Sequence, residues 1–266
     1  MICVLGDAHL DVVARVFGPV AVDTDTASST RLSVGGQAAN VAAWVVALGG
    51  RSRLVAARGT DLAAGLVAAD LARRGVELVG PVIEVGTGVV IALSDGGARR
   101  SMLTDRGVGP MLAAGELRED WLDGCTWLHL PGYSLTSEPV RGAALAAARW
   151  ARNRSAGLSV DLSSTAAVSG YGVGRFRSLL ADLRPEVVFG NQAETELIGD
   201  LPGATMITKL GAGGVIVAGT WHPAVRIEPV DATGAGDAFA AGYLVGGAGL
   251  GLSAAARAVA TMGAMP

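Results

Sequence analysis

Three features of this 266-residue chain predict an α/β fold, with helices on both faces of a mainly parallel sheet. Apolar runs of strand length recur along it, helix-period patterns separate several of them, and only two segments break the alternation. The strand-like runs cover residues 2–5, 53–56, 127–130, 158–161, 187–189, 206–208 and 215–218. Helical patterns cover 62–74, 140–154 and 176–183. Ser137-Glu138-Pro139 supplies an entrance to the second of these, with Pro placed in the first turn, where its missing N–H costs nothing. An apolar helix also follows Gly35-Gly36. The two irregular segments, 11–34 and 85–104 around Asp95-Gly96, suit hairpins. No repeat, low-complexity tract or linker separates independent domains, so 1–10, 35–84 and 105–266 are expected to form one core.

Half the residues are hydrophobic, and at this length the chain can bury one large core. The formal charge of -3 leaves no footprint for nucleic acid, and no basic run suggests a membrane surface. Cys3 and Cys125 make neither a disulfide framework nor a metal motif, and read as buried thiols of a cytoplasmic protein. The first apolar run ends at Asp7 without a basic flank, unlike a signal peptide. Residues 238–265 form the most membrane-like stretch, but their many glycines and the breaks at Ser253 and Arg257 fit a close-packed α/β helix better.

The chemistry is most legible in Asp231-Ala-Thr-Gly234-Ala235-Gly236-Asp237, which runs directly into an Ala-rich helical stretch. Small side chains let successive backbone N–H groups converge on an anion, and the helix N-terminus adds partial positive charge. A carboxylate there lies beside bound phosphate and can take a proton from an incoming hydroxyl, so Asp237 reads as a general base. Two other nucleotide loops are excluded. No Gly-Lys pair exists for a Walker loop, and Phe239 stands where the dinucleotide fingerprint needs Gly or Ala. Near the other end, Gly35-Gly36-Gln-Ala-Ala-Asn40 lets backbone approach a ligand and places an amide that suits a polyol on the first helical turn.

These two motifs, in this order and roughly this far apart, resemble the two signatures of the ribokinase family, the PfkB-type carbohydrate kinases. The resemblance extends over nearly the whole chain. Val4-Leu-Gly-Asp-Ala-His-Leu-Asp11 looks like the family's first strand, ending in a sugar-binding Asp. Gly59-Thr-Asp61, Gly65 and Arg74-Gly75-Val76 are similar to its second helix and the strand after it. Thr87-Gly88 onward, with Asp95-Gly96-Gly97-Ala-Arg99-Arg100, looks like its lid hairpin, while 128–133 and 158–161 match central strands. Asn191-Gln-Ala-Glu194 resembles the motif that orders magnesium through water, and Thr208-Lys209-Leu-Gly211-Ala-Gly-Gly214 resembles the nucleotide loop. The resemblance implies a three-layer α/β/α core with a small β lid formed by 11–34 and 85–104.

It also implies an ATP- and Mg²⁺-dependent kinase acting on a hydroxymethyl group of a sugar or nucleoside. Asp237 is then the base, with N–H groups of the Gly234-Ala235-Gly236 loop stabilising the transferring phosphate. Asp11, His9, Gly35, Gly36 and Asn40 hold the acceptor, and Asn191, Lys209, Gly211 and Gly214 the nucleotide. Glu194 and Asn191 order Mg²⁺ through water, and Asp231 is a candidate ligand for a monovalent cation such as K⁺. Each has a plainer reading. Asp237 and Asp231 could be loop caps, Asp11 a turn residue, and Asn191 and Glu194 a helix cap at one-turn spacing. His9 could simply be buried at a strand end, and His129 and His222 read as structural. Lys209 is the only lysine beside twenty arginines, so either chemistry or chance has kept it.

Ribose, a ribonucleoside, fructose or a sugar acid remain open as acceptors; a phosphosugar is disfavoured by the opening motif, although Arg99 and Arg100 could meet an anion. Two alternatives stay open: a hydroxymethylpyrimidine- or pyridoxal-type vitamin kinase, and a non-catalytic sugar sensor on the same fold. Lid-mediated homodimers occur in the family. Members usually continue beyond the point where this sequence reaches Met262-Gly-Ala-Met-Pro266, so either 261–264 is a compressed purine- and cation-flanking loop or the terminal segment is missing from this chain, and weak nucleotide affinity and poor cation activation are expected.

Overall fold

The computed structural model describes residues 1–94 and 100–266. Its first strand, β1 (Ile2–Leu5), is buried along its whole length. After it come β2 (His9–Val16), β3 (Ser28–Gly35), α1 (Gln37–Ala47), β4 (Ser52–Val55), α2 (Leu62–Arg73), β5 (Glu77–Val79), β6 (Thr87–Ser94) and β7 (Arg100–Gly107). The middle of the chain holds β8 (Trp127–Pro131), α3 (Gly132–Thr136), α4 (Val140–Asn153), β9 (Gly157–Asp161), α5 (Thr165–Tyr171) and α6 (Val173–Leu183). The last third holds β10 (Val187–Asn191), α7 (Gln192–Ile198), β11 (Thr205–Lys209), β12 (Val215–Val217), β13 (Thr220–His222) and α8 (Ala235–Val259).

Nine strands form one sheet in the order β13-β12-β11-β10-β9-β8-β1-β4-β5. From β11 to β5 every neighbour is parallel, and only β12 and β13 are antiparallel. The core is double-sided because successive strand residues point to opposite faces. On β1, Cys3 and Leu5 pack with Leu128, Leu130, Ala147, Phe176 and Leu180 on one face. Ile2 and Val4 pack with Trp44, Phe189, Ile207 and Phe239 on the other. The central strands therefore bury both faces, and the helical layers that cover them make the stack three layers deep. Alanine fills the covering face of α4, at Ala143, Ala144, Ala147 and Ala151, so that helix lies close on the sheet. Its entrance differs from expectation: Pro139 stands one position before the helix, as N-cap, and the Glu138 carboxylate accepts from the Gly142 N–H.

A second sheet has the order β3-β2-β6-β7. β2 pairs antiparallel with β3 and parallel with β6, and β6 pairs antiparallel with β7. The Asp95-Gly96 turn and Arg99 lie outside the described residues, as does the side chain of Arg100. α8 is long and apolar enough, by length and composition, to cross a membrane. Its backbone is not helical at Gly246 and Gly247, and Gly242 lies so close to Gly251 that a Cβ at 242 would come within 2.7 Å of the Gly251 Cα. The 25 residues are thus two shorter helices folded against each other, and small residues at the crossing permit the approach.

Candidate active site

The parallel strands deliver their carboxyl ends to one edge of the sheet, where ligands of such folds sit. β1 leads there into Asp7, β9 ends in Asp161, β10 in Asn191 and β11 in Lys209. α1 and α8 start at the same edge. Asp237 occupies the first turn of α8, and Asn40 the first turn of α1. The two meet: Asn40 Nδ2 donates to Asp237 Oδ2 at 2.8 Å, joining positions 197 residues apart. Asn40 Oδ1 is buried and has no partner. Burial raises the Asp237 carboxyl to about 7, with the Asp161 charge adding to the rise and the Asn40 and Lys209 contacts opposing it. N–H groups in the first turn of a helix have no acceptor within it, so those of Gly236 and Asp237 are available to an anion.

Lys209 stands beside this turn. Its Nζ donates to Asp161 Oδ2 at 2.6 Å, with Asp161 almost fully buried. A Cβ built on Gly236 would lie 3.2 Å from that Nζ, so glycine keeps the ammonium against the anion loop. Burial alone would lower the lysine pKa, but the charge and hydrogen bond of Asp161 outweigh it and the pKa is raised. Asn191 and Glu194 form a reciprocal cap on α7. Asn191 Oδ1 accepts from the Glu194 N–H at 2.9 Å, and Glu194 Oε2 accepts from the Asn191 N–H at 2.8 Å. Asn191 Nδ2 also donates to Glu194 Oε1 at 2.8 Å. Burial, with Asp161 nearby, raises the Glu194 pKa.

On the acceptor side, Asp7, His9 and Asp11 form a line. His9 Nε2 lies 3.1 Å from Asp11 Oδ1, and Nδ1 lies 3.7 Å from Asp7 Oδ2. Burial disfavours the imidazolium, but the two carboxylates outweigh it and raise His9 to about 9, so it is charged at neutral pH. Asp7 is only partly exposed, and although its partial burial works the other way, His9 and Arg106 hold its carboxyl below the ordinary value. The glycine pair is dictated by this line. A Cβ at Gly35 would fall 2.3 Å from Asp11 Oδ2, and Gly36 has φ 104 with a would-be Cβ 2.6 Å from the Asp7 carbonyl oxygen.

Asp231 shapes the anion loop. Its Oδ1 accepts from the Thr233 N–H at 3.0 Å and the Thr233 hydroxyl at 2.6 Å, while Oδ2 accepts from the Gly263 N–H at 3.0 Å. Residues 261–264 therefore form a short loop tied to the anion loop, and Trp44 Nε1 anchors it by donating to the Ala264 carbonyl at 2.9 Å. Gly211 and Gly214 frame the turn from β11 to β12, closed by the Leu210 N–H donating to the Gly214 carbonyl at 2.8 Å.

Asp161 ends its strand as Asn191 and Lys209 end theirs, and parallel-sheet logic places all three at this edge. Three further neighbours, Asp7, Arg106 and Ser163, were not singled out in the sequence as site residues, and Ser163 had no signal. Its hydroxyl donates to Gln37 Oε1 at 2.5 Å and accepts from the Gly132 N–H at 2.8 Å, tying α1, α3 and the end of β9 together. His129 lies fully buried with Nδ1 2.9 Å from the Ser159 hydroxyl and its ring edge-on to Phe189; burial lowers its pKa to about 4. Cys3 and Cys125 are buried free thiols in contact with one another, and the Cys125 thiol together with burial pushes Cys3 up.

The arrangement pairs a near-neutral carboxylate with an anion loop and a fixed ammonium, which suits transfer of a phosphoryl group to an alcohol. Similarity to known proteins agrees. An ATP-dependent ribose-1-phosphate kinase of Halopiger xanaduensis is 32% identical over 262 residues, covering 92% of this chain and 84% of that one. A fructokinase of Escherichia coli is 29% identical over 262 residues, covering 90% and 85%. An E. coli structure described as a ribokinase II, solved with ATP and Mg²⁺, superposes with a TM-score of 0.86 at 20% identity, covering 99% of this chain and 94% of that one, and so shares the fold. Residues 1–265 match the pfkB family carbohydrate kinases. The chain is an ATP-dependent carbohydrate kinase and belongs to the pfkB family.

Proposed function

We propose that this enzyme phosphorylates a hydroxymethyl group of a sugar or nucleoside, with Asp237 as general base. The observation that carries the reading is the Asp237 carboxyl, raised to about 7 in the first turn of α8 and held there by Asn40. A base of that pKa is ionised often enough at neutral pH to act and is basic enough to accept the alcohol proton. The residues fit the group to be bound: glycine at 236 leaves room for a phosphate oxygen near Lys209, and a larger residue there would crowd the ammonium. ATP supplies the phosphoryl group. The N–H groups of Gly236 and Asp237 hold its charge, and Lys209 contributes a point charge beside them. Glu194 and Asn191, already locked to each other, present a fixed carboxylate and amide that order a hydrated Mg²⁺. Asp231 acts chiefly through the loop it shapes. Asp11 accepts from acceptor hydroxyls, and the unpartnered Asn40 Oδ1 provides a further acceptor atom. The names of relatives point the same way, as ribose-1-phosphate kinase and fructokinase are both sugar kinases.

The test is a phosphorylation panel of pentoses, hexoses, nucleosides and their phosphates with ATP and Mg²⁺, run beside Asp237→Asn. Turnover of one acceptor class that falls roughly 10²–10⁴-fold in the variant is expected, with ATP binding retained. Full turnover by folded Asp237→Asn removes it from the base role.

A further inference from the structure

A cavity of about 390 Å³, a volume typical of small-molecule sites, lies next to the acceptor side of this edge. Its lining includes Arg106, Tyr133, Ser137, Arg141, Tyr171 and Arg175, drawn from the second sheet and from helices after β8 and β9. Three guanidinium groups face one space in a chain whose formal charge is -3. Arg141 and Arg175 stack on the same ring, 5.0 and 4.7 Å from the centroid of Tyr171. Their charges are thus within about 10 Å of each other and repel. Arg106 stacks on Tyr133 at 4.3 Å. The carboxylates close by are few: Glu138 pairs with Arg141, and Asp7 lies 3.5 Å from Arg106 Nη1 but is shared with His9. Among the described residues no carboxylate pairs with Arg175, which is exposed.

The aromatic faces hold these side chains in place, so their ordering entropy is already spent. Planar guanidinium forks converging on one space match the oxygens of a phosphate. A smaller recess shares Arg106, Tyr133 and Ser137 with the cavity and reaches Asp7, which links it to the Asp7-His9-Asp11 line.

We infer that the acceptor already carries a phosphate monoester, and that Arg106, Arg141 and Arg175 seat it in this cavity while its free hydroxymethyl group faces Asp237. This deepens the kinase reading and rests on it, and it reverses the expectation that phosphosugars are disfavoured. The reaction converts a sugar monophosphate to a bisphosphate. The hydroxymethyl oxygen bonds to the γ-phosphorus of ATP, the bond from that phosphorus to the β-phosphate oxygen breaks, ADP leaves, and the alcohol proton passes to Asp237.

Initial rates with two matched pairs, ribose against ribose 1-phosphate and fructose against fructose 1-phosphate, test this. At least one phosphorylated member should exceed its neutral partner by about 100-fold or more in kcat/KM. Arg141→Met and Arg175→Met should raise its KM by roughly 10- to 100-fold with little change in kcat and leave the neutral sugar unaffected, while Arg175→Lys should keep part of the affinity that Arg175→Met loses. Arg175 is exposed on α6, so its variants should fold. Preference for a neutral sugar, a nucleoside or a sugar acid, or KM values that ignore both substitutions, overturns the subsite while Asp237-dependent turnover keeps the kinase reading. Calorimetric titration of both sugar phosphates into wild type and Arg175→Met reads the cavity without turnover. Binding that the variant loses supports the subsite even if Asp237→Asn defeats the base assignment, and absence of binding by either at millimolar concentration overturns it.

Discussion

Asp237 is the residue whose energetics say most about the reaction. Its carboxyl, raised to about 7, keeps its proton in the fold over a range where an unfolded chain, with an ordinary value of 3.8, has lost it. Folding is therefore penalised progressively as pH rises through that interval, and not below it. Asp237→Asn should lose activity yet melt at a higher temperature than wild type at pH about 8, with the gap closing as pH falls toward about 4. In wild type, kcat/KM should rise with pH through about 7 as the base ionises. A flat profile there would separate Asp237 from proton transfer. His9 has the opposite linkage to stability. Its raised value means that its contribution is complete below the ordinary 6.5 and lost as pH climbs through about 9. Melts of wild type should fall across that window, and those of His9→Gln should not share the fall. Lys209 carries two effects that its substitutions separate. Met leaves the buried Asp161 charge without its partner and should cost roughly 3 kcal/mol of stability. If Lys209 also meets phosphate, its loss raises the KM for ATP more than that for the acceptor, and Arg, with a broader planar head, restores stability better than ATP use. An unchanged KM for ATP in a folded Lys209→Met would leave it as the neutraliser of Asp161.

Among the elements, α8 joins anion loop, base and fold. Gly234 caps it at φ 75, a left-handed conformation, and a Cβ there would lie 2.6 Å from the Ala264 Cα. Gly234→Ala adds conformational strain of about 1–2 kcal/mol and pushes the 261–264 loop away, which stretches the Trp44–Ala264 hydrogen bond. A total loss of roughly 2–4 kcal/mol is expected in denaturant unfolding, together with a higher KM for ATP. Unchanged stability would mean that the two loops part without cost. This element was legible in sequence because its signal is local: small residues, a carboxylate and an Ala-rich run lie side by side. Most strands of the parallel sheet were legible for a similar reason, since they are short apolar runs, whereas the three-residue β5, which opens on Glu77, gave no such run. Legibility failed where partners come from distant positions. Lys209 was singled out by composition and by its place in the nucleotide-loop resemblance, but nothing marked Asp161, 48 residues away, as its ion-pair partner. The arginine cavity is assembled from five separate elements, none basic enough to be noticed by itself. Asp7, His9 and Asp11 carried an unused signal, because a spacing of two puts side chains on one face of an extended chain.

At the scale of the molecule, the second sheet is the least self-sufficient part. It has four strands, and both edge strands are exposed along most of their described length. Leu32 on β3 and Met102 and Leu103 on β7 are each more than half exposed, and Phe17, just past β2, is 68% exposed. Open edges and bare apolar side chains favour pairing with another chain. A second copy is the simplest partner, because two such sheets related by a two-fold axis would cover the same residues on each. We expect a homodimer through this sheet, burying on the order of 1,200–2,000 Å² in total. Light scattering at about 50 µM should then give twice the chain mass, since a micromolar constant is ordinary for interfaces of this size. Leu32→Lys combined with Leu103→Lys should yield a monomer, as each charge would be buried unpaired in the dimer. Asp11, on β2, belongs to the same sheet as those edges, so the monomer should also show a raised acceptor KM with ATP use nearly unchanged. A wild type that runs as a monomer at that concentration, with kinetics indifferent to both substitutions, would leave the sheet closing over the acceptor without help from a partner.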